Sequence, residues 1–162
     1  MRAALYDLAI VPLTASWYEA VLSRLTSRCR LLDVGIGTGG ALLRHADRVR
    51  ALAKACNAEA LMRDQLHSRY FDAVIHATPL GMFPHTNECF FEDRIPGEIV
   101  FDMVYNPRET LLLKRAGEQN KVIIDGLQMF LEQAALQFET WTNENAPRPA
   151  MEKAALEALG LA

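Results

Sequence analysis

The sequence predicts an α/β protein whose parallel sheet of about five strands is covered by helices on both faces. Short apolar runs rich in Val, Ile and Leu recur along the chain, as is typical of strands buried on both faces. Glycine, proline or aspartate interrupts most of these runs, and segments of helical periodicity lie between them. The predicted strands are near residues 31–35, 58–61, 72–77, 99–104 and 121–125. With right-handed crossovers they take the Rossmann-like or flavodoxin-like order 2-1-3-4-5 in three α/β/α layers.

Length and composition indicate a single globular domain over residues 1–162. Hydrophobic residues make up 51% of the chain and charged residues 23%, and the net charge is −3. This composition lacks the basic excess that draws a protein to nucleic acid or to anionic lipid. We therefore expect no nucleic-acid partner and no membrane partner.

The sequence predicts no metal site and no targeting segment. Cys29, Cys56 and Cys89 are far apart in the chain, which predicts reduced thiols without the paired spacing of a zinc site. Asp7 and Pro12 interrupt the N-terminal stretch where a signal peptide would need an apolar core. The expected localisation is the cytoplasm.

The first predicted strand ends in a glycine-rich turn, LLDVGIGTGG at residues 31–40. Gly35, Gly37 and Gly39 allow a tight turn and the close approach of an anionic or ribose group. The helix that follows would offer its free N–H groups to the same place. The spacing matches G-x-G-x-x-G only if Gly40 is the third glycine. The alternative is that these glycines only permit packing of the helix on the strand.

Three further turns are predicted to converge on one edge of the sheet. The runs FDAVIHA, IVFDMVY and KVII are buried-type strands, and they end at residues 77–82, at Asn106-Pro107 and at Asp125-Gly126. Parallel strands carry such turns at their carboxyl ends, where open α/β sheets bind ligands. The sequence therefore predicts a ligand site at that edge.

Helical periodicity predicts the remaining elements. Two short helices broken at Pro12 occupy residues 2–25, and a further helix spans residues 39–56. Other helices are predicted at residues 64–70, 108–117, 127–141 and 151–159. Pro107 would precede the 108–117 helix at the favoured first position. The last two helices are predicted to bury Leu127, Phe130, Leu131, Ala134, Phe138, Trp141, Met151, Ala155, Leu156 and Leu159.

The sequence places few side chains for acid–base chemistry. Asp33 either accepts a hydrogen bond from a cofactor amine or stabilises its own turn. His76 lies in an apolar strand, which is typical of a structural histidine, and His85 lies in a polar loop, which is typical of an exposed one. Lys121 and Asp125 fall at opposite ends of one strand and cannot form a proton-transfer pair. We assign no catalytic residue.

Residues 5–45 combine a Tyr-Asp pair, the helix WYEAVLSRL and the turn LLDVGIGTGG. In this combination they resemble the opening of a class I S-adenosylmethionine-dependent methyltransferase. The resemblance implies that the glycine turn wraps the methionine part of that cofactor. The family's acidic residue after a second long strand has no counterpart, because only the brief segment AEAL follows at residues 58–61.

Four motifs follow in order along the rest of the chain: ATPLGM at 77–82, VFDMVYNPRET at 100–110, IDGLQMFLEQAALQFETWT at 124–142 and PAMEKAALEAL at 149–159. With them, this part of the chain resembles the C-terminal half of shikimate dehydrogenase. The resemblance implies that Gln133 reaches toward the shikimate hydroxyls, whereas Gln128 stands where the family often has a small residue. It also implies that the nicotinamide end of an NADP site is lined by Thr78, Met103, Tyr105, Gly126 and Met129.

The parts that this resemblance requires are incomplete. In shikimate dehydrogenases a separate N-terminal domain supplies the catalytic Lys–Asp pair, and the residues before Leu31 leave no room for it. The family's own glycine turn and the arginine segment that grips the 2′-phosphate of NADP are missing as well. We therefore expect a recombined or engineered chimera, methyltransferase-like over residues 1–46 and shikimate dehydrogenase-like over residues 47–162.

The expected function is a scaffold without catalytic activity that retains residual nucleotide binding. NADP and S-adenosylmethionine are the candidate cofactors, and we expect neither to be tightly bound. The alternatives are an NADP-binding, shikimate dehydrogenase-like oxidoreductase fragment, a methyltransferase-like protein, and an interaction module. The chain would then be a monomer, or a homodimer formed through exposed C-terminal helices.

Overall fold

The described part of the chain contains a parallel sheet of four strands in the order β1-β2-β3-β4. The strands are β1 (Leu31–Val34), β2 (Phe71–His76), β3 (Gly97–Asp102) and β4 (Val122–Ile124). The computed structural model describes Arg24, residues 30–34, Ala58, Glu59, Leu61, residues 63–66 and residues 68–161.

The predicted parallel α/β class is confirmed, and so is the relative order of the four predicted strands that the sheet contains. The register aligns Leu32 with Val74, Val74 with Val100, and Val100 with Ile123. Each β-branched or leucine side chain in this row thus stacks on the next across the sheet.

The strand predicted at residues 58–61 is not found there, since Ala58, Glu59 and Leu61 lie outside any strand. The segment has no β-branched residue to favour an extended, half-buried backbone. Glu59 instead accepts two hydrogen bonds from the Arg69 guanidinium, at 2.6 and 2.8 Å. This contact lowers the pKa of the Glu59 carboxyl.

The described residues form three α-helices: α1 (Leu111–Glu118) lies between β3 and β4, and α2 (Gly126–Thr142) and α3 (Arg148–Ala158) follow β4. A short 3-10 helix, Arg63–Leu66, overlaps the beginning of the segment predicted as a helix at residues 64–70. The predicted helices at 2–25 and 39–56 lie outside the described residues, as does the turn with Gly35, Gly37 and Gly39.

Helix α1 begins later than predicted, at Leu111 and not directly after Pro107. The Thr110 backbone is extended, and its hydroxyl accepts a hydrogen bond from the Leu113 N–H at 3.2 Å. An N-cap of this kind satisfies one of the free donors of the first helical turn. The cap residue, and not the proline, therefore sets where α1 begins.

Helices α1 and α2 cover opposite faces of the sheet. Side chains alternate along each strand, so Val74 and Val100 pack with Leu112 and Leu113 of α1. Their neighbours in sequence form the other cluster, in which Ile75, Phe101, Ile124 and Met129 of α2 are buried together. The predicted layer arrangement is confirmed for these elements.

The predicted buried faces of the C-terminal helices are partly wrong. The buried residues of α2 are Gly126, Leu127, Met129 and Ala135, whereas Trp141 is 78% exposed. A helix of 17 residues is about 25 Å long, but β4, with 3 residues, spans only about 10 Å. The C-terminal part of α2 therefore extends beyond this strand. No residue of α3, which is described throughout, is fully buried.

Candidate functional site

The carboxyl ends of β2, β3 and β4 lie at one edge of the sheet, as their parallel pairing requires. The segments that follow them are residues 77–82, residues 103–107 and the Asp125–Gly126 turn. We call these three segments the carboxyl edge. Their predicted convergence is confirmed, and open parallel sheets bind ligands at this edge.

Two buried polar side chains face each other where β2 and β3 end. The register pairs His76 with Asp102, and Nδ1 of the imidazole lies 3.0 Å from the Asp102 Oδ1. Their exposed fractions are 1% and 0%. The prediction of a structural histidine is consistent with this burial, and the partner that the sequence did not reveal is supplied by the neighbouring strand.

Thr78 extends this contact into the loop after β2. Its Oγ1 lies 2.6 Å from the Nε2 of His76 and accepts a hydrogen bond from the Leu80 N–H at 3.3 Å. An ionised carboxylate only accepts, so the proton between His76 and Asp102 sits on Nδ1. In the neutral ring Nε2 then accepts from the Thr78 hydroxyl, and each of these polar atoms has a partner.

Asp102 extends the network into the loop after β3 and to helix α1. Its Oδ1 also accepts a hydrogen bond from the Val104 N–H at 3.0 Å, and its Oδ2 accepts one from the Thr110 hydroxyl at 2.5 Å. Thr110 is 1% exposed and is the N-cap of α1. We call the four side chains His76, Asp102, Thr78 and Thr110 the edge network.

Gly126 brings the start of α2 against the loop after β3. A Cβ atom at this position would lie 2.4 Å from the Val104 carbonyl oxygen and 2.8 Å from that of Met103. Only a residue without a side chain allows this approach. The structure therefore gives Gly126 a packing role at the carboxyl edge. It lies against Met103, which the resemblance places in the same predicted cofactor site.

Tyr105 presents an aromatic surface at the carboxyl edge. Its ring stacks on Phe130 of α2 with centroids 4.7 Å apart and an interplanar angle of 22°, and the residue remains 39% exposed. Met103, two residues earlier, is half-buried and packs on the core beneath. The Tyr105 ring thus offers a partly exposed aromatic surface that is suited to a planar ring.

Asp125 joins the third segment of the edge to Arg108, the residue that directly follows the second segment. Its Oδ1 accepts a hydrogen bond from the Gln128 N–H at 3.0 Å, which caps α2, and its Oδ2 accepts one from the Arg108 Nε at 3.2 Å. Lys121 precedes β4 and Asp125 follows it, as predicted. The carboxylate is thus used to position the turn.

The other predicted site residues are distributed around this edge. Met129 lies one turn into α2 and is 9% exposed, within the core cluster below the edge. Gln133 is half-buried further along α2, and Gln128 is exposed. Asp33 pairs with Ile75 at the end of β1 through the backbone, and its side chain lies outside what the structure describes. The assignment of these residues to a cofactor stays a prediction.

His85, in the loop after β2, is largely exposed, and its Nδ1 lies 2.7 Å from the Glu88 Oε1. The predicted exposure is confirmed, and the structure adds the carboxylate partner.

Sequence reasoning missed the edge network. A signal was present in the segment NPRETLLL, because a threonine directly before an apolar run is a typical N-cap. The contact between Thr110 and Asp102 depends on the packing of α1 against the sheet, which sequence spacing does not reveal.

The described residues show neither a metal-binding cluster nor a membrane-spanning helix. They contain no group of three or more His, Cys, Asp and Glu side chains that could hold a metal ion. No described helix combines the length and the apolar character that crossing a bilayer requires.

Comparison with known proteins adds the relatives of this fold. Residues 126–156 match the sequence model described as the shikimate 5′-dehydrogenase C-terminal domain. A shikimate dehydrogenase (NADP(+)) of Bacillus cereus is 33% identical over 138 residues, which amount to 80% of this chain and 50% of that protein. The chain is similar to shikimate dehydrogenases. It spans about a third to a half of the curated relatives that it matches, with shares of 32% and 50%.

Solved structures agree with this similarity. Shikimate 5-dehydrogenase of Thermus thermophilus, in complex with NADP(H) and shikimate, gives a TM-score of 0.70 at 25% identity, covering 91% of this chain and 61% of that one. Quinate dehydrogenase of Corynebacterium glutamicum, in complex with NAD, gives 0.59 at 27% identity, covering 78% and 54%. The Rossmann-like fold is thereby shown.

The similarity does not stop at the junction predicted near residue 46. The two shikimate dehydrogenases match 91% and 80% of this chain. Residues 47–162 alone make up less of the chain than either match covers. Both matches therefore extend into the segment that was assigned to a methyltransferase. These relatives support neither a methyltransferase-like segment, nor S-adenosylmethionine as the cofactor, nor a chimeric origin. The alternative interpretation, an NADP-binding, shikimate dehydrogenase-like fragment, is better supported than a chimeric scaffold.

Proposed function

We propose that this chain is the NADP-binding part of a shikimate dehydrogenase-type oxidoreductase, with the nicotinamide at the carboxyl edge. The observation that carries the proposal is the match to a shikimate dehydrogenase (NADP(+)) over 80% of the chain. A match of that length leaves out only a short stretch of the chain, at its N-terminal end, its C-terminal end or both. In each case the match includes residues 77–126. It therefore contains all three segments of the carboxyl edge.

The residues of the edge fit a nicotinamide ring. Tyr105 and Met103 offer an apolar surface, and the glycine at 126 keeps the backbone of α2 close to the loop that carries them. When bound, NADP accepts or donates a hydride at this ring. The chain's own contribution is to bind the ring, to orient it and to shield one face from water.

Proton transfer is assigned to a different part of such an enzyme. The carboxylate of Asp102 and both nitrogens of His76 already have buried partners within the edge network. In the family that the sequence resembles, a Lys–Asp pair of a separate N-terminal domain performs this step. We therefore propose cofactor binding, and not acid–base catalysis, as the role of the described residues.

Thermal unfolding with added nucleotides tests the proposal. At a concentration 100 times its dissociation constant, a ligand stabilises the folded state by about 2.7 kcal/mol. We expect NADP to raise the Tm and S-adenosylmethionine to leave it unchanged, and NAD measures selectivity for the 2′-phosphate. No shift with NADP or NAD at saturating concentration would refute the proposal.

A pair of aromatic substitutions locates the site. Tyr105→Ala should weaken NADP binding roughly tenfold, because it removes a stacking interaction with the ring that contributes about 1 kcal/mol or more to the binding free energy. Trp141→Ala is the matched control, since this ring is 78% exposed near the C-terminal end of α2. Equal NADP affinities of the two variants, measured by titration calorimetry, would place the nucleotide elsewhere.

A further inference from the structure

We propose that His76 and Asp102 are positioning residues that lock the two loops of the NADP site, residues 77–82 and residues 103–107, into one arrangement. The part of this inference that concerns nucleotide binding rests on the proposed function. The coupling of the two loops is a property of the chain alone and can be measured without a ligand.

The edge network connects each loop to the strand beside it. On one side His76 contacts the Thr78 hydroxyl, which in turn accepts from the Leu80 N–H inside the first loop. On the other side Asp102 accepts from the Val104 N–H inside the second loop. The side-chain contact between His76 and Asp102, 3.0 Å long, joins the two halves, beside the backbone hydrogen bond that the Met103 N–H donates to the His76 carbonyl oxygen at 2.9 Å.

Burial makes each of these hydrogen bonds costly to break. All four side chains of the edge network are at most 5% exposed, so water cannot replace a partner that is lost. A loop that moved away would leave a buried hydroxyl or carboxylate oxygen unpaired. The network therefore favours one position of each loop over the alternatives.

The arrangement also assigns a role to Thr78. With the proton of the neutral His76 ring on Nδ1, the Thr78 hydroxyl donates to Nε2, and its oxygen accepts from the Leu80 N–H. Its hydroxyl proton is thus not available to a bound nucleotide. Thr78 acts on the cofactor site by holding the turn that follows it.

Two substitutions of His76 separate the halves of the network. An asparagine amide lies near the position of the imidazole Nδ1, so His76→Asn keeps a donor for Asp102 and loses the acceptor for Thr78. A glutamine amide reaches the position of Nε2, so His76→Gln keeps the partner of Thr78 and loses the donor for Asp102. Each variant should release only one loop.

Hydrogen–deuterium exchange of the nucleotide-free chain reads out this difference. In His76→Asn, exchange should accelerate roughly tenfold in peptides covering residues 77–82 and stay unchanged over 103–107. In His76→Gln the pattern should reverse. His85→Asn is the matched control, because the exposed His85 ring, just beyond the first loop, is paired with the Glu88 carboxylate outside the edge network. Unchanged exchange in both variants, or equal acceleration in both loops, would overturn the inference.

A spectroscopic measurement on the unmodified chain keeps the inference testable if the variants fail to fold. Nitrogen-15 NMR of His76 should show the neutral tautomer that carries its proton on Nδ1. Observation of the Nε2–H tautomer, or of an imidazolium at neutral pH, would contradict the proposed hydrogen-bond order.

NADP titration separates this inference from the proposed function. If the unmodified chain binds NADP, both His76 variants should bind it roughly five- to tenfold more weakly, and His85→Asn should bind it normally. Normal affinity in the His76 variants would remove the effect on the cofactor site. If the unmodified chain does not bind NADP, the proposed function fails, while the exchange pattern still decides whether the loops are coupled.

Discussion

At the scale of single residues, the carboxyl edge depends on a close approach between backbones. Gly126 stands where a Cβ atom would overlap the Val104 carbonyl group, at 2.4 Å from its oxygen. Backbone atoms cannot turn aside as a flexible side chain can, so any larger residue must displace α2 or the loop after β3. Gly117, in contrast, has only the end of the Ile123 side chain nearby, at 3.7 Å.

Gly126→Ala should therefore lower the free energy of unfolding by about 2 kcal/mol or more, through overpacking. Gly117→Ala is the control with the opposite sign, because alanine in a helix is favoured over glycine by up to about 1 kcal/mol. Urea unfolding of both variants measures the difference. Equal stabilities would show that the start of α2 can shift without cost.

At the scale of elements, Thr110 couples the start of α1 to the sheet. Its hydroxyl oxygen accepts from the Leu113 N–H, and its hydroxyl proton is donated to Asp102. The same side chain thus caps a helix and satisfies a fully buried carboxylate. This double role explains why α1 begins at Leu111.

Thr110→Val should destabilise the chain by about 2–4 kcal/mol, because it removes the cap and also the donor to a buried charge. Thr110→Ser retains the hydroxyl and should cost only about 1 kcal/mol, for one lost methyl group. Chemical denaturation of the pair provides the measurement. If valine were tolerated as well as serine, the hydroxyl would have no structural role.

At the scale of the whole molecule, stability is unevenly distributed over the sheet. In β2 and β3 most residues are buried, and each of these strands has a hydrogen-bonded neighbour on both sides. In β4, Val122 and Ile123 are 45% and 38% exposed, and the strand pairs with β3 alone in the described sheet. Strands with few buried contacts open more readily than the core.

Amide exchange should therefore be slowest in β2 and β3 and roughly tenfold or more faster in β4. Peptide-resolved exchange of the unmodified chain measures this order directly. Protection of β4 equal to that of β3 would mean that another surface covers this strand.

The sequence by itself determined the parallel α/β class, the four strands of the described sheet and the convergence of their turns. Apolar runs broken by Gly, Pro and Asp carry this information locally, because strand burial and turn chemistry depend on neighbouring residues. It also carried the resemblance to shikimate dehydrogenase in the motifs at residues 77–82 and 100–110. The chimeric origin was an inference from missing parts, and the similarity that crosses the predicted junction does not support it.

Only the tertiary structure decided which polar side chains meet. His76 and Asp102 are separated by 26 positions, and Asp102 and Thr110 by 8, so no local pattern relates them. Their contact follows from the register of β2 on β3 and from the packing of α1 on the sheet. In the same way the exposure of Trp141 follows from the short length of β4, since helical periodicity identifies an apolar face but not what covers it.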